Sequence, residues 1–353
     1  MTRQILNFVL ATVLASIAGI AVDRAVTAST AVPPPCPAAA QLKQIVVDKA
    51  YKHGASPQDT QVQLRDEIVL EGQHFPTLLQ KAQCSVPTKK VILFLDGRPV
   101  KDVTAFPPTD PDKSLFVFPL KRTESSRETW THVLGRPQWE PRQTSVSVGL
   151  DDEFPVDSTA TVLLEVIPHG WFVAWAIIFL ALLVFFIAVA KQSDVIRDWS
   201  VQPPAGERKP YSLSRAQAAW WFFLVLASYL FIGLITGDYN TSITGTVLGL
   251  LGISSATVIG SAAIDAGKST AAAAATGTPA VGSASKYWWI DMLSDAGGVS
   301  FHRFQMAAWT LVLGIIFVVQ VYQFLAMPTF DGTLLALLGI SAGTYLGLKI
   351  PQG

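Results

Sequence analysis

The sequence predicts a membrane α-helical protein of about five spans behind an N-terminal signal or anchor, carrying an exported all-β, Ig-like sandwich domain. Three observations carry this. Hydrophobic residues make up 50% of the 353 and charged residues only 15%, where soluble chains carry roughly 25% charge. The charges are spread through residues 41–168 and nearly vanish from long runs after Trp171. Within the charged part, short β-rich runs alternate with turn signals. The 26 basic and 26 acidic residues cancel, so there is no broad basic field to hold nucleic acid by counterion release, and nucleic acid is disfavoured as a partner.

At the N-terminus, a short basic start is followed by an apolar run over residues 5–22, so residues 1–30 read as a signal peptide or an N-terminal anchor. Small residues at 25–28 suit a signal peptidase, whereas Asp23 and Arg24 suit the end of an uncleaved anchor; either way, the chain beyond this segment is exported. The two cysteines, Cys36 and Cys84, both fall in the exported stretch. An oxidising compartment makes a Cys36–Cys84 disulfide the expectation, with two free buried thiols as the alternative.

The exported domain spans residues 38–168. Strands are expected at 62–70, 91–95, 115–120, 144–150 and 160–167. Asp96-Gly97, directly after an apolar run, marks a tight hairpin turn. Residues 69–72 followed by Phe75 and by 91–98 look similar to the opening strands of Ig-like modules. Residues 127–143, with Trp130, His132 and Trp139, read as an irregular insertion, either a binding loop or an aromatic plug over an open end of the domain.

Five apolar segments come next, near 171–190, 218–236, 243–264, 306–326 and 333–350, each long enough to cross roughly 30 Å of hydrocarbon as a helix. They organise the chain into a transmembrane helix at 171–190, a cytoplasmic linker at 191–211, a hairpin at 212–265, a low-complexity cytoplasmic linker with an interfacial segment at 266–299, and a second hairpin at 300–350. Five crossings after an exported domain leave the C-terminus in the cytoplasm. Lys191, Arg197, Arg208, Lys209 and Arg215 lie on one expected inner segment and Lys268, Lys286 and Arg303 on the next, and the expected outer turns at 237–242 and 327–332 have neither Lys nor Arg. Trp171 and Trp175 are placed at the outer face, and Trp220, Trp221 and Trp309 near the inner one. The aromatic run at 287–293 lies along the inner membrane surface or docks a cytosolic partner.

The two hairpins repeat one another in sequence. Ser212, Arg215, Gln217 and Trp221 match Ser300, Arg303, Gln305 and Trp309, each 88 residues on; Gly252, Ser254 and Thr257 match Gly339, Ser341 and Thr344, each 87 residues on. Each hairpin enters from the same side, so the copies are parallel repeats. Ser212 and Ser300 are expected to cap their helices, and Arg215 and Arg303 to form a collar among lipid phosphates. The small residues around Gly252, Ser254, Gly339 and Ser341 either let helix backbones approach closely or line a narrow path in an oligomer. The paired R-x-Q and G-I-S units over residues 211–350 resemble repeats of uncharacterised bacterial inner-membrane proteins, a resemblance that implies no activity.

The chemistry of catalysis is not legible. His53, His74, His132, His169 and His302 are dispersed, and no nucleophile elbow or defensible acid–base carboxylate pair stands out. Residues 262–269 resemble the end of a phosphate-binding loop, but Ala262 stands where its first glycine is required. No enzyme, metal or cofactor is expected. The span cores lack charge, with Asp238, Asp265 and Asp331 placed at helix ends or turns, which disfavours coupled transport. The expected function is a non-catalytic envelope protein of the bacterial inner membrane. Its exported domain binds a protein partner while the hairpins, in contact with lipid and open to homo-oligomerisation, anchor, scaffold or signal. The alternative is an oligomeric channel or membrane-permeabilising effector.

Overall fold

The computed structural model describes residues 35–106, 114–200, 202–239, 243–276, 282–295 and 298–350; the signal or anchor expected at 1–30 lies outside them. After one helical turn, α1 (Ala39–Leu42), the charged half forms β1 (Val46–Lys52), β2 (Gln61–Gln63), β3 (Glu67–Gln73), α2 (Phe75–Cys84), β4 (Val91–Leu95), β5 (Arg98–Thr104), β6 (Leu115–Pro119), α3 (Arg127–Leu134), β7 (Arg142–Leu150), β8 (Asp157–Ser158) and β9 (Thr161–Glu165). The strands make two sheets, in the orders β6-β3-β1-β8 and β2-β9-β7-β4-β5. β8 runs parallel to β1 and β2 parallel to β9; the other pairings in these sheets are antiparallel.

Alternation along the strands places the core. Phe116 and Phe118 of β6 and Val162 and Leu164 of β9 are buried while their neighbours are not, as a strand with one covered face requires. Central β4 is buried along its whole length. Residues of both sheets, with Phe75 and Leu78 of α2 and Trp130 of α3, share one hydrophobic core. The β4–β5 turn has positive φ at Asp96 (50°) and Gly97 (74°), the conformation a tight hairpin needs.

Three expectations fail here. The run at 62–70 is two strands in different sheets, separated by a turn in which Arg65 takes φ of 83°. The stretch at 127–143 opens with a regular helix, α3, whose Trp130 is fully buried and donates from its indole nitrogen to the Lys121 carbonyl at 3.0 Å. β1, α2 and β5 are additional elements.

The apolar half forms α4 (His169–Gln192), α5 (Leu213–Thr236), α6 (Gly245–Thr276), α7 (Trp288–Leu293), the short pair β10 (Ser294–Asp295) and β11 (Gly298–Val299), α8 (Phe301–Phe324) and α9 (Gly332–Lys349). Five of them, α4, α5, α6, α8 and α9, are long and apolar enough to cross a membrane. α5 packs on α6 and α8, and α9 packs on the same two, closing a four-helix ring; α4 flanks it through α5. Buried positions recur three or four residues apart on α5 (Gln217, Trp221, Val225, Ser228, Ile232) and on α8 (Met306, Thr310, Leu313, Phe317, Val321), one stripe per helix. α4 buries only Ala190 and presents apolar side chains all round, as suits a helix surrounded by lipid.

The low-complexity linker does not begin at residue 266. α6 continues through Asp265 to Thr276, because alanine has the highest helix propensity and residues 271–275 are all alanine.

Candidate functional site

The bundle interior is divided by depth. Toward the end that faces the β-domain, Val225, Ile232, Val247, Leu250, Leu313 and Phe317 are buried together, with Trp221 at the boundary of this cluster, its ring centroid 6.2 Å from that of Phe317. Toward the far end, the same four helices bury polar side chains. Gln217 of α5 donates from Nε2 to Thr310 Oγ1 of α8 at 2.8 Å. Ser254 and Thr257 of α6 face inward and donate to their own helix, to the Leu250 carbonyl at 3.0 Å and the Ile253 carbonyl at 2.7 Å. Gln217 Oε1, Trp221 Nε1, Ser341 Oγ and Tyr345 OH have no hydrogen-bond partner among the described residues, and each such group costs about 1–3 kcal/mol.

At the far end, the ammonium of Lys349, the last residue of α9, is buried and lies 2.7 Å from Asp265 Oδ2, 2.9 Å from Ser261 Oγ and 3.5 Å from Asp198 Oδ1. It ties α9 to α6 and to the linker after α4. Beside it, Asp291 accepts from Ser285 Oγ at 2.6 Å, the Lys286 amide at 3.0 Å and the Tyr211 amide at 3.3 Å, pinning α7 beneath the ring.

The repeat residues do not all take their expected places. Arg303 is only 5% exposed; its guanidinium lies 5.5 Å from the Tyr345 ring and donates to the Asp291 carbonyl at 3.4 Å. It cannot stand among lipid phosphates, because α7 folds over it. Arg215 is half-buried and donates to the carbonyls of Asp194 and Val195 at 3.1 and 3.3 Å. Ser212 and Ser300 stand at the N-cap positions, yet neither side chain accepts from a backbone N–H of its helix; Ser212 Oγ instead pairs with Ser214 Oγ at 3.1 Å. Trp221 is fully buried, facing the ring rather than the membrane surface. Gln305 is half-buried, whereas its counterpart Gln217 is buried. Ser254 and Ser341 face the core; Thr344 faces outward. A side chain at Gly252 would meet nothing within 4 Å, and one at Gly339 only Ile253 at 4.0 Å, so the tight fit falls instead at Gly260, where an added side chain would come within 2.9 Å of the Leu346 side chain. Asp265 lies inside a helix, not at its end.

A second constellation joins the two halves. Arg122, in the loop after β6, donates through Nη1 to the Leu325 carbonyl at 2.7 Å and through Nη2 to the Phe324 carbonyl and Thr131 Oγ1, both at 3.2 Å. Those carbonyls end α8, where Leu325 turns left-handed (φ 46°) and leaves acceptors that the helix itself cannot satisfy. Burial, with Arg127 nearby, pushes the Arg122 guanidinium down to about 10, so it remains charged at neutral pH. At the other hairpin the exposed Arg65 stacks 5.4 Å from the Tyr239 ring and lies against Gly237, where an added side chain would approach it to 2.3 Å. Ile235 and Leu325, from the two hairpins, are buried in the same core as the sheets. At the start of α4, Trp139 packs edge-on against Phe172 at 5.3 Å, and His169 Nδ1 lies 2.7 Å from Glu165 Oε1. Burial alone raises the Glu165 carboxyl, but hydrogen bonds from His169 and Gln63 override it and hold it below the ordinary carboxylate range.

The opposite end of the β-domain is free of the bundle. β7 starts beside the part of β9 that leads into α4 and ends with Leu150 opposite Val91, which places the start of β4 farthest from the helices. There α2, β4, β5 and β6 enclose a cleft of about 350 Å³ whose lining includes Leu79, Ala82, Val91, Thr104, Phe106 and Phe116. Lys81 and Lys89 both pair with Glu153, Lys89 at 2.8 Å. On the loops beside this pair, Val86 is 99% exposed and Phe154 95% exposed. The Cys36–Cys84 disulfide, with Cα atoms 5.4 Å apart, fastens the N-terminal segment to the end of α2, and Gln80 Nε2 donates to the Pro35 carbonyl at 2.8 Å.

The sequence reading missed Lys349, Asp198, Arg65 and Arg122. Lys349 carries a signal in hindsight, being the sole charge in residues 333–350, but a lysine at a span end equally describes an interfacial anchor. Arg122 and Arg65 lie in turns with no local pattern. No protein-family model, curated protein or solved structure matches the chain.

Proposed function

We propose that this is a non-catalytic, multi-pass protein of the bacterial inner membrane, whose exported domain binds a protein partner and whose hairpins anchor it and pass the bound state inward. The observation that carries this reading is the two-point joint: Arg122 holds the turn of one hairpin and Arg65 that of the other. A partner seated on the free end of the domain would therefore load the outer ends of both hairpins, rather than swing a tethered module. In this reading residues 38–168 are extracytoplasmic and the far end of the bundle and the C-terminus are cytoplasmic. The distribution of Lys and Arg on the far-side segments supports it. The Ig-like assignment draws support from the strand order, in which β1 and β2 divide between the sheets and β2 lies parallel to the last strand, β9. Parallel duplication of the hairpins draws support from the equal lengths of α5 and α8, 24 residues each.

The partner surface in this reading is the free end, where Val86 and Phe154 stand out beside the cleft, whose apolar floor is edged by Gln83, Lys89 and Lys90. One aliphatic and one aromatic side chain, both almost fully exposed beside the cleft, are in this reading the anchors of the contact. A photo-crosslinking residue at Phe154 in cells should give one reproducible adduct, absent when the same residue replaces exposed Lys49 on β1. Equal adduct patterns at the two positions would remove the partner reading.

A second reading, an oligomeric channel, draws on the outward faces of α6 and α9. Side chains added at Gly252, Gly343 and Gly347 would meet nothing within 4 Å, leaving room for another copy. The apolar half of the ring closes a path through one copy, so any pore would run between copies. Purified protein in liposomes that passes no ions would sink this reading.

A further inference from the structure

We infer that the far-end half of the four-helix core is a water-binding vestibule, entered past the Lys349 cluster and stopped by the apolar half at Leu250 and Phe317. Among the described residues, buried groups without a partner here include Gln217 Oε1 and Trp221 Nε1, one turn apart on α5, and Ser341 Oγ and Tyr345 OH, one turn apart on α9, with His302 Nε2 and Arg303 Nε next to Tyr345. The four side chains on α5 and α9 are at most 3% exposed. Tyr345 packs in one cluster with Leu213 of α5 and Met306 of α8, so the α9 pair reaches across the ring toward the α5 pair. Together they offer one obligate donor, one obligate acceptor and two hydroxyls that can act as either, the mixed set that a small buried water cluster needs. Hydrocarbon cannot supply those bonds, and neighbouring hydroxyls are already engaged, Ser254 and Thr257 with their own helix and Thr310 with Gln217 and the Met306 carbonyl.

The same half of the ring leads to the only charged side chains buried within its described walls, Lys349, Asp265, Arg303 and their companions, which gives water a polar route from the far end. The other half is lined mainly by Val225, Leu250, Leu313 and Phe317, which give water no partner, although Ser228 is buried on the same stripe of α5. In the described conformation the four atoms on α5 and α9 are sealed, so water reaches them by local opening beside the ion cluster.

The test uses full-length protein carrying single Ser254→Cys, Ser341→Cys, Leu250→Cys or Ser269→Cys substitutions. The native cysteines are joined to each other and give no background. A membrane-impermeant cationic thiol reagent is applied to vesicles of each orientation. Cysteines at 254 and 341 should label at least about tenfold faster than one at 250, and more slowly than one at half-buried 269, which lies on α6 beyond the ion cluster, as local opening requires. Labels at 254 and 341 as slow as at 250, with 269 reactive, would overturn the vestibule. Labelling at 250 as fast as at 254 would overturn its apolar stop. The side from which labelling occurs tests the orientation proposed above separately from the vestibule. Water-edited solid-state NMR on wild-type protein gives a reading free of substitutions: magnetisation transferred from water to Ser341 and Tyr345 but not to Leu250 supports the vestibule, and no transfer to any of them overturns it.

Discussion

Arg122 shows how a single side chain outside a helix can finish it. The last carbonyls of α8 have no intrahelical donors, and a planar guanidinium with several N–H groups reaches two of them and Thr131 at once. Arg122→Ala should lower stability by about 2–3 kcal/mol, the scale of lost charged hydrogen bonds. Arg122→Lys should recover only part of it, because an ammonium cannot reproduce the fork. Thermal unfolding of the detergent-solubilised protein measures both; a lysine variant equal to wild type would refute the fork argument. Glu153 offers a pH-dependent counterpart at the free end of the domain. Burial alone raises its carboxyl, but Lys81 and Lys89 together override this and hold it below its ordinary value of 4.5. A folded value below the unfolded one gives stabilisation that is present above pH 4.5 and is lost as pH falls through the folded value. Glu153→Gln should therefore be less stable at neutral pH and lose less on acidification below 4.5, as followed by unfolding profiles of the two proteins.

Among the elements, α9 depends most on its last residue. Lys349 joins α9 to α6 through Asp265 and to the α4–α5 linker through Asp198. Lys349→Met should cost about 3–5 kcal/mol, because it leaves two carboxylates facing one another in a buried site. Replacing Asp265 by Asn in the same chain should return a large part of that loss, which thermal unfolding of the single and double variants resolves. This pairing also marks where sequence reading reaches its limit. Long apolar segments, the Asp96-Gly97 turn and the Cys36–Cys84 pairing were legible because each follows from local composition, local backbone preference or compartment. The split at Arg65 and the helix at 127–134 were not, since the two strands and the helix are selected by a core assembled from distant residues. The far-end ion cluster was illegible for the same reason: residues 198, 265 and 349 meet only when the ring closes. The repeat led to the right half of the bundle but to an equal treatment of Arg215 and Arg303, which the covering α7 makes unequal.

At the scale of the whole molecule, the joint decides whether the protein behaves as one body or two. Ile235 and Leu325 of the hairpins lie in the same core as the two sheets, and Arg65 and Arg122 lie beside them. The covalent connection is short, since β9 ends at Glu165 and α4 begins at His169. A shared core couples the folding of the parts it joins, so wild-type protein should unfold in detergent as one calorimetric transition in which β-sheet and helix signals are lost together. Arg65→Ala and Arg122→Ala combined remove the polar contacts at both turns while leaving that connection intact. In this double variant the β-domain should lose its sheet signal at a lower temperature than the helices lose theirs, splitting the transition in two. If the wild type already melts in two separate steps, the domain is tethered rather than fixed, and inward transmission of a bound partner loses its structural basis.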